Sequence, residues 1–348
     1  MLAIRVAALL IVFVFPTVTI SNITFKDVAR FNNISDVHKI EAELSNRAFN
    51  ADPTTTRKGF KRPNDPRFAE YSTKALAMIH RQTTVYGWPN YAVMANTPAS
   101  VQKLIESTAA VFHKSQLENV PNTDNLRIKD ARSLEERGVC KDSLTFNDRS
   151  SITTEPGAAI CTGFLIEPDV LITASHCVPD AIVRRLRFVF GYHELNGKVK
   201  TVFPGRSVLS GTVIDRHDAN VGAEWARIKL ERAPGAPQLT PRLGEIRVSE
   251  PVSVIGCPAG TGVKFADGAN VRKVLKNTFI ANLDVFEGHS GGPVLDANHK
   301  VIGFVARGER DWVPAEDCRQ PYKCPDEGCT GETITRITAL PPFLNVSR

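Results

Sequence analysis

The sequence predicts an all-β domain of about 200 residues, a barrel or a sandwich, preceded by a partly helical region. Three observations lead there. After Cys140 the chain breaks into short runs rich in branched and aromatic residues: AICTGFLI, DVLITAS, RLRFVFGY, VSVIGC, PVLD and KVIGFVA. Each run is bounded by Gly, Pro, Asn or Asp, the residues that end strands and make turns. Long helical periods are missing from this part, and no internal repeat is visible. With 348 residues, 42% of them hydrophobic and 23% charged, the chain can bury one sizeable core and carry an extra segment besides.

Taken in order, residues 1–21 read as a secretory signal peptide. Arg5 precedes the apolar run VAALLIVFVF, and Pro16 ends it. A spanning helix needs about 20 apolar residues, so this run fits an export signal cut near Ser21. The mature protein is therefore expected outside the cell, with no stable membrane association after cleavage. Residues 22–137 form a propeptide or accessory region with two helical patterns, about 68–81 and 99–117. In the second, Val101, Leu104, Ile105, Ala109 and Phe112 recur at three- and four-residue steps. His80 and His113 on these patterns are read as packing or surface residues. Residues 138–348 carry the β domain.

Export places the seven cysteines in an oxidising compartment, where disulfides form and an odd count leaves one thiol over. Cys318, Cys324 and Cys329 lack both a C-x-x-C pair and a nearby His, so neither a metal site nor a cofactor is expected. Sequons at Asn22, Asn33 and Asn345 matter only in a glycosylating host. The net charge of +6 is not gathered into a Lys/Arg block, which argues against nucleic acid as a partner.

The chemistry centres on GHSGGP, residues 288–293, which satisfies two serine motifs at once. G-x-S-x-G is the nucleophile elbow of α/β-hydrolases, and G-x-S-G-G-P is a different serine loop. An elbow serine lies between a strand and a helix. Here PVLD, the turn Ala297–Lys300 and VIGFVA predict strand, turn, strand. The α/β-hydrolase order also needs an acid and then a His downstream, and only His299, in the predicted turn, follows. Upstream, LITASHC offers His176 as a base, at the end of a hairpin whose other strand holds Cys161. A Cys161–Cys177 bridge would fix the residue beside that imidazole.

TGFLIEPDVLITASHC, GAEWARIKLERA and LDVFEGHSGGPVLD together resemble the secreted trypsin-like (chymotrypsin-fold) serine proteases, most of all their microbial branch. The likeness runs from about Cys140 to Ile337. It implies two antiparallel six-stranded β-barrels with the active site between them. It also implies Ser290 as nucleophile, His176 as general base, and the amides of Gly288 and Ser290 as the oxyanion hole. Where the family has an aspartate, this sequence has Glu224, 48 residues after His176 and 66 before Ser290. Asp218 is the competing acid, and Asp215 a more distant one. His289 stands where digestive members carry an aspartate for zymogen activation, so activation by N-terminal insertion is not expected. Arg137–Gly138 is a place where the preceding region could be removed. Asp284 falls at the floor of the primary specificity pocket, where it would favour Arg or Lys or else serve as a structural ion pair or loop hydrogen bond. Gly308 would leave room for an extended peptide, and Arg307 replaces the usual aromatic beside it. The function implied is a secreted, monomeric, metal-independent serine endopeptidase acting on protein or peptide substrates. The alternative is an inactive homologue that serves as a protein-binding module.

Overall fold

Residues with branched and aromatic side chains, most of them buried along the whole strand, build two antiparallel sheets in the computed structural model. It describes residues 85–86, 91–145, 151–218, 223–308, 310–325 and 328–341. The chain divides into two units, Met1–Ile79 and His80–Arg348, and every described residue belongs to the second. The expected signal peptide, the helix at 68–81 and the three sequons lie outside the described residues.

In spatial order the first sheet contains Val208–Leu209, Leu186–Phe190, Thr108–His113, Cys161–Glu167, Val170–Thr173, Trp225–Leu230 and Gly211–His217. Its two edges are successive pieces of one stretch, parted only at Ser210, so the sheet curls back on itself. The second sheet runs Pro251–Gly256, Pro293–Asp296, Val301–Arg307, Glu332–Arg336, Thr278–Ala281 and Lys264–Val274. It closes as a six-stranded barrel because Pro251–Gly256 also pairs with Lys264–Val274. The all-β expectation therefore stands, with one closed barrel and one curled sheet. Both predicted hairpins form. Phe164 lies opposite Ile172, and Pro293 opposite Phe304. The second hairpin removes the elbow reading of Ser290, since a strand and not a helix follows the serine loop.

The helix expected over 99–117 is shorter, Ala99–Glu106, and the chain then enters the strand Thr108–His113. That strand is an interior member of the first sheet, paired on both sides. Ala109 and Val111 join one apolar cluster, while Ala110 and Phe112 join another. A strand buried on both faces is apolar throughout, so its residues also satisfy a three-four spacing, and the periodicity misleads. The fold consequently does not begin at residue 138. Tyr91–Ala92 pairs with the closed barrel, and Val85–Tyr86 pairs with Lys323–Cys324, both upstream of that expected boundary.

Cys161 is bonded to Cys177, Cys140 to Cys318 and Cys324 to Cys329. The three sulfurs weighed as zinc ligands are thus in disulfides, and the odd thiol is Cys257, which is buried. No helix among the described residues is long and apolar enough to cross a membrane.

Candidate active site

Strand register brings His176 and Glu224 together. Ala226 lies opposite Thr173 in an antiparallel pair. Continuing that register sets Glu224 beside Ser175, at the start of the single turn Ser175–Cys177 that carries His176. The His176 Nδ1 is 3.1 Å from Glu224 Oε1. Ser175 Oγ donates to Oε2 at 3.0 Å, and Arg307 Nε donates to Oε1 at 3.4 Å. The backbone of Glu224 is held from the second barrel: its N–H donates to Thr335 Oγ1 at 3.3 Å, and its carbonyl accepts from that hydroxyl at 3.1 Å.

Glu224 is 5% exposed, and burial alone would favour its neutral form. The bond and charge of His176, the charge of Arg307 and the Ser175 hydroxyl outweigh that, bringing its pKa down to about 2. The competing acids are engaged elsewhere. Asp218 accepts from Arg216 Nε at 3.0 Å, and Asp215 is paired with Arg227.

The serine loop turns through two glycines, Gly288 at φ +96° and Gly291 at φ +83°. A Cβ on Gly288 would collide with the carbonyl of Cys257, and one on Gly291 with Thr173 and the carbonyl of Thr162. Only glycine fits either place. Most amides of this loop are occupied. Phe286 N–H donates to His289 Nδ1 at 3.0 Å and Glu287 N–H to Asp311 Oδ2 at 2.9 Å. His289, Gly291 and Gly292 donate to the carbonyls of Phe286, Val305 and His289. The amides of Gly288 and Ser290 donate to no described group, and these are the two expected to face an oxyanion. An amide left unpaired in a folded loop is uncommon unless something else accepts from it.

Ser290 is docked against the His176 turn through its backbone. Its carbonyl accepts from Thr162 N–H at 2.8 Å and lies 3.5 Å from Cys177 Sγ. Its hydroxyl hydrogen-bonds to no described residue, His176 included. Such bonds are often long in free enzymes and tighten when substrate binds.

His289 is fully buried. Its Nδ1 accepts from the Phe286 amide, and its ring stacks on Tyr91 at 5.7 Å between centroids. Burial pushes its pKa down to about 3, so it is a neutral packing element of the loop. Asp284 is also buried, and its Oδ1 accepts from Tyr86 N–H at 2.7 Å. This bond ties Asp284 to the strand Val85–Tyr86. Gly308 follows the strand Val301–Arg307 and is half-buried.

Several supporting residues carry no sequence signal of their own. Thr162, one residue after Cys161, donates through Oγ1 to the Gly288 carbonyl at 2.7 Å and accepts from Cys257 N–H at 3.1 Å. Ser175 and Thr335 hold Glu224 in place. Ser175 could have been noticed as the residue before His176, whereas Thr335 lies 111 residues beyond Glu224 and nothing in its neighbourhood marks it.

A curled sheet carrying a His–acid pair beside a closed barrel carrying a glycine-turned serine loop is the arrangement of a trypsin-like fold. Residues 161–304 match the family model described as the trypsin-like peptidase domain. No curated protein matches the chain. Among solved structures it is similar to the Rv3671c protease of M. tuberculosis. The active form shares 15% identity at a TM-score of 0.39, covering 81% of this chain and 90% of that one. An inactive mutant form shares 14% at 0.40, covering 73% and 92%.

Proposed function

We propose that this protein is a secreted serine endopeptidase that cleaves peptide bonds through an acyl-enzyme, with Ser290 as nucleophile, His176 as general base and Glu224 as the orienting acid. The observation that carries this reading is the buried, ionised Glu224 accepting from His176 Nδ1 at 3.1 Å. A carboxylate there fixes the tautomer in which Nε2 is free to take a proton, and it stabilises the imidazolium that results. His176 then deprotonates Ser290 Oγ as it attacks the scissile carbonyl, and later returns the proton to the leaving amine. The free amides of Gly288 and Ser290 supply donors for the oxyanion, where losing one donor in comparable enzymes costs about 10² to 10³ in rate. Export rests on residues 1–21, and the substrate is an extended protein or peptide segment beside Val301–Gly308.

The unlinked Ser290 hydroxyl favours one other reading, an inactive homologue that binds a protein partner. A fluorophosphonate probe separates the two. The peptidase reading expects stoichiometric labelling that Ser290→Ala abolishes and His176→Ala reduces at least a hundredfold. A folded wild-type chain that never labels would establish the binding module instead.

A further inference from the structure

We propose that Arg307 is a positioning residue for the reaction: it clamps the Glu224 carboxylate toward His176, and its charge sets the pH range in which the base works. The inference rests on the peptidase reading above and concerns a residue outside the Ser–His–acid set.

The argument starts from a β-bulge. Val305 lies opposite Ile334, but Arg307 lies opposite Thr333, so Ala306 is an extra residue on its strand. A bulge re-aims the side chains that follow it. Thr333 and Thr335 share one face of their strand, and Thr335 is the residue that grips the Glu224 backbone. Without the bulge, Ala306 would stand opposite Thr333. With it, Arg307 takes that place and reaches Glu224 Oε1 at 3.4 Å, on the oxygen that also accepts from His176. The two nitrogens share one oxygen at 3.4 and 3.1 Å, so they lie within about 6.5 Å of each other. A guanidinium cannot lose its charge in the working range, so it is a permanent cation beside the imidazole.

The other charged groups on the surrounding elements are committed elsewhere. On the strand Gly211–His217, Arg216 pairs with Asp180 and Asp218, and His217 stacks near Trp225. On the strand Glu332–Arg336, Arg336 donates to the carbonyls of Leu275 and Lys276, while Glu332 lies on the face opposite Thr335. In the serine loop the Glu287 amide is held by Asp311, and His289 is buried and neutral. Arg307 is therefore the cation on the shared carboxylate.

Two consequences follow. Arg307 ties Oε1 to the second barrel, which carries Ser290, so removing it frees the carboxylate to rotate away from His176. Its charge also opposes the imidazolium, so removing it makes His176 easier to protonate. At about 6.5 Å the interaction corresponds to roughly half a pH unit in a water-like medium and more in a drier one. Both side chains are over one-third exposed, which favours the lower end.

The test follows the second-order rate of labelling by diisopropyl fluorophosphate between pH 5 and 9. It compares wild type, Arg307→Lys and Arg307→Met, with near-UV circular dichroism checking each fold. The proposal expects Arg307→Met to lose about tenfold in plateau rate and to shift its acidic midpoint upward by roughly half a unit or more. Arg307→Lys should keep the wild-type midpoint while losing part of the rate, and high salt should narrow the difference in midpoint. If Arg307→Met labels too slowly to follow, the ring-proton titration of His176 by NMR reads the same midpoint. A wild-type midpoint in Arg307→Met, with the wild-type chain labelling normally, overturns the positioning role alone. A wild-type chain that does not label overturns the peptidase reading and this role with it.

Discussion

Replacing Glu224 with glutamine isolates the charge of the acid from its geometry, because the two carboxylate oxygens face different partners. Oε1 accepts from two N–H donors, His176 and Arg307, while Oε2 faces the Ser175 hydroxyl, which can accept as well as donate. The glutamine oxygen should take the Oε1 place and its NH₂ should donate to Ser175. The imidazole then keeps its tautomer and loses only the negative charge. Opposite charges about 4 Å apart are worth about 4 kcal/mol at an effective dielectric of 20 and about 1 kcal/mol in water. The acid is buried and His176 is 45% exposed, so about 2 to 4 kcal/mol, or about 30- to 1,000-fold in kcat/KM, is expected. That is less than the about 10⁴-fold loss seen in serine proteases where the substituted amide forces the wrong tautomer. The assay is peptide hydrolysis beside fluorophosphonate labelling, with Asp218→Asn as control. Asp218 is paired with Arg216, so the control should stay within about threefold of wild type. An Asp218→Asn loss exceeding that of Glu224→Gln would refute the assignment of the acid. The stability of the fold offers a second check. A carboxyl lowered from 4.5 to about 2 contributes stability that is present above pH 4.5 and lost as the pH falls toward 2. Glu224→Gln should therefore flatten the fall in unfolding free energy across that window by about 3 kcal/mol.

Four further outcomes can be checked with standard measurements. His289 is held neutral with its pKa lowered from 6.5 to about 3, so the stability it contributes is complete above 6.5 and declines as the pH drops toward 3. By urea unfolding the wild type should lose about 2 kcal/mol between pH 7.5 and pH 5 from this group. His289→Asn should be less stable at neutral pH but lose less over the same interval, and an equal slope in both would show that the buried ring does not govern it. A chain beginning at Gly138 lacks the strand Thr108–His113 and should fail to unfold cooperatively. By contrast, cleavage at Arg137–Gly138 in the folded protein should leave both fragments in one peak on size exclusion until denaturant is added. Asp284→Asn should keep the wild-type cleavage preference in a peptide library and weaken the hold on Tyr86, seen as faster amide exchange there. A selective loss of Arg and Lys cleavage would instead make Asp284 the reader of substrate cations.

The parts of this molecule that the sequence discloses are those where chemistry constrains neighbours along the chain. GHSGGP shows itself because the turn needs glycine at 288 and 291, and the hairpin after it is legible from PVLD and VIGFVA. LITASHC shows itself because a strand, a bridging cysteine and a base occur within seven residues. What stays hidden depends on pairing across long separations. The strand Thr108–His113 is buried on both faces, so it lacks the polar alternation that would tell it from a helix. Asp284 admits two roles in the sequence because the Tyr86 amide it holds lies 198 residues away.

Glu224 shows how the two kinds of information combine. As a sequence feature it is a departure, one methylene longer than the usual aspartate, and nearby aspartates compete with it. In the fold, a longer acid is accommodated because three elements meet around it: Ser175 from the His176 turn, Thr335 from the strand Glu332–Arg336 of the closed barrel and Arg307 from beyond a bulge. Two of these three come from the barrel that carries Ser290, so the carboxylate in the first sheet is fixed by the second. In the proposed peptidase, such an arrangement makes the alignment of His176 and Ser290 depend on how the two β structures pack. A substitution that loosens that packing, even one far from Ser290, should therefore lower turnover before it lowers stability.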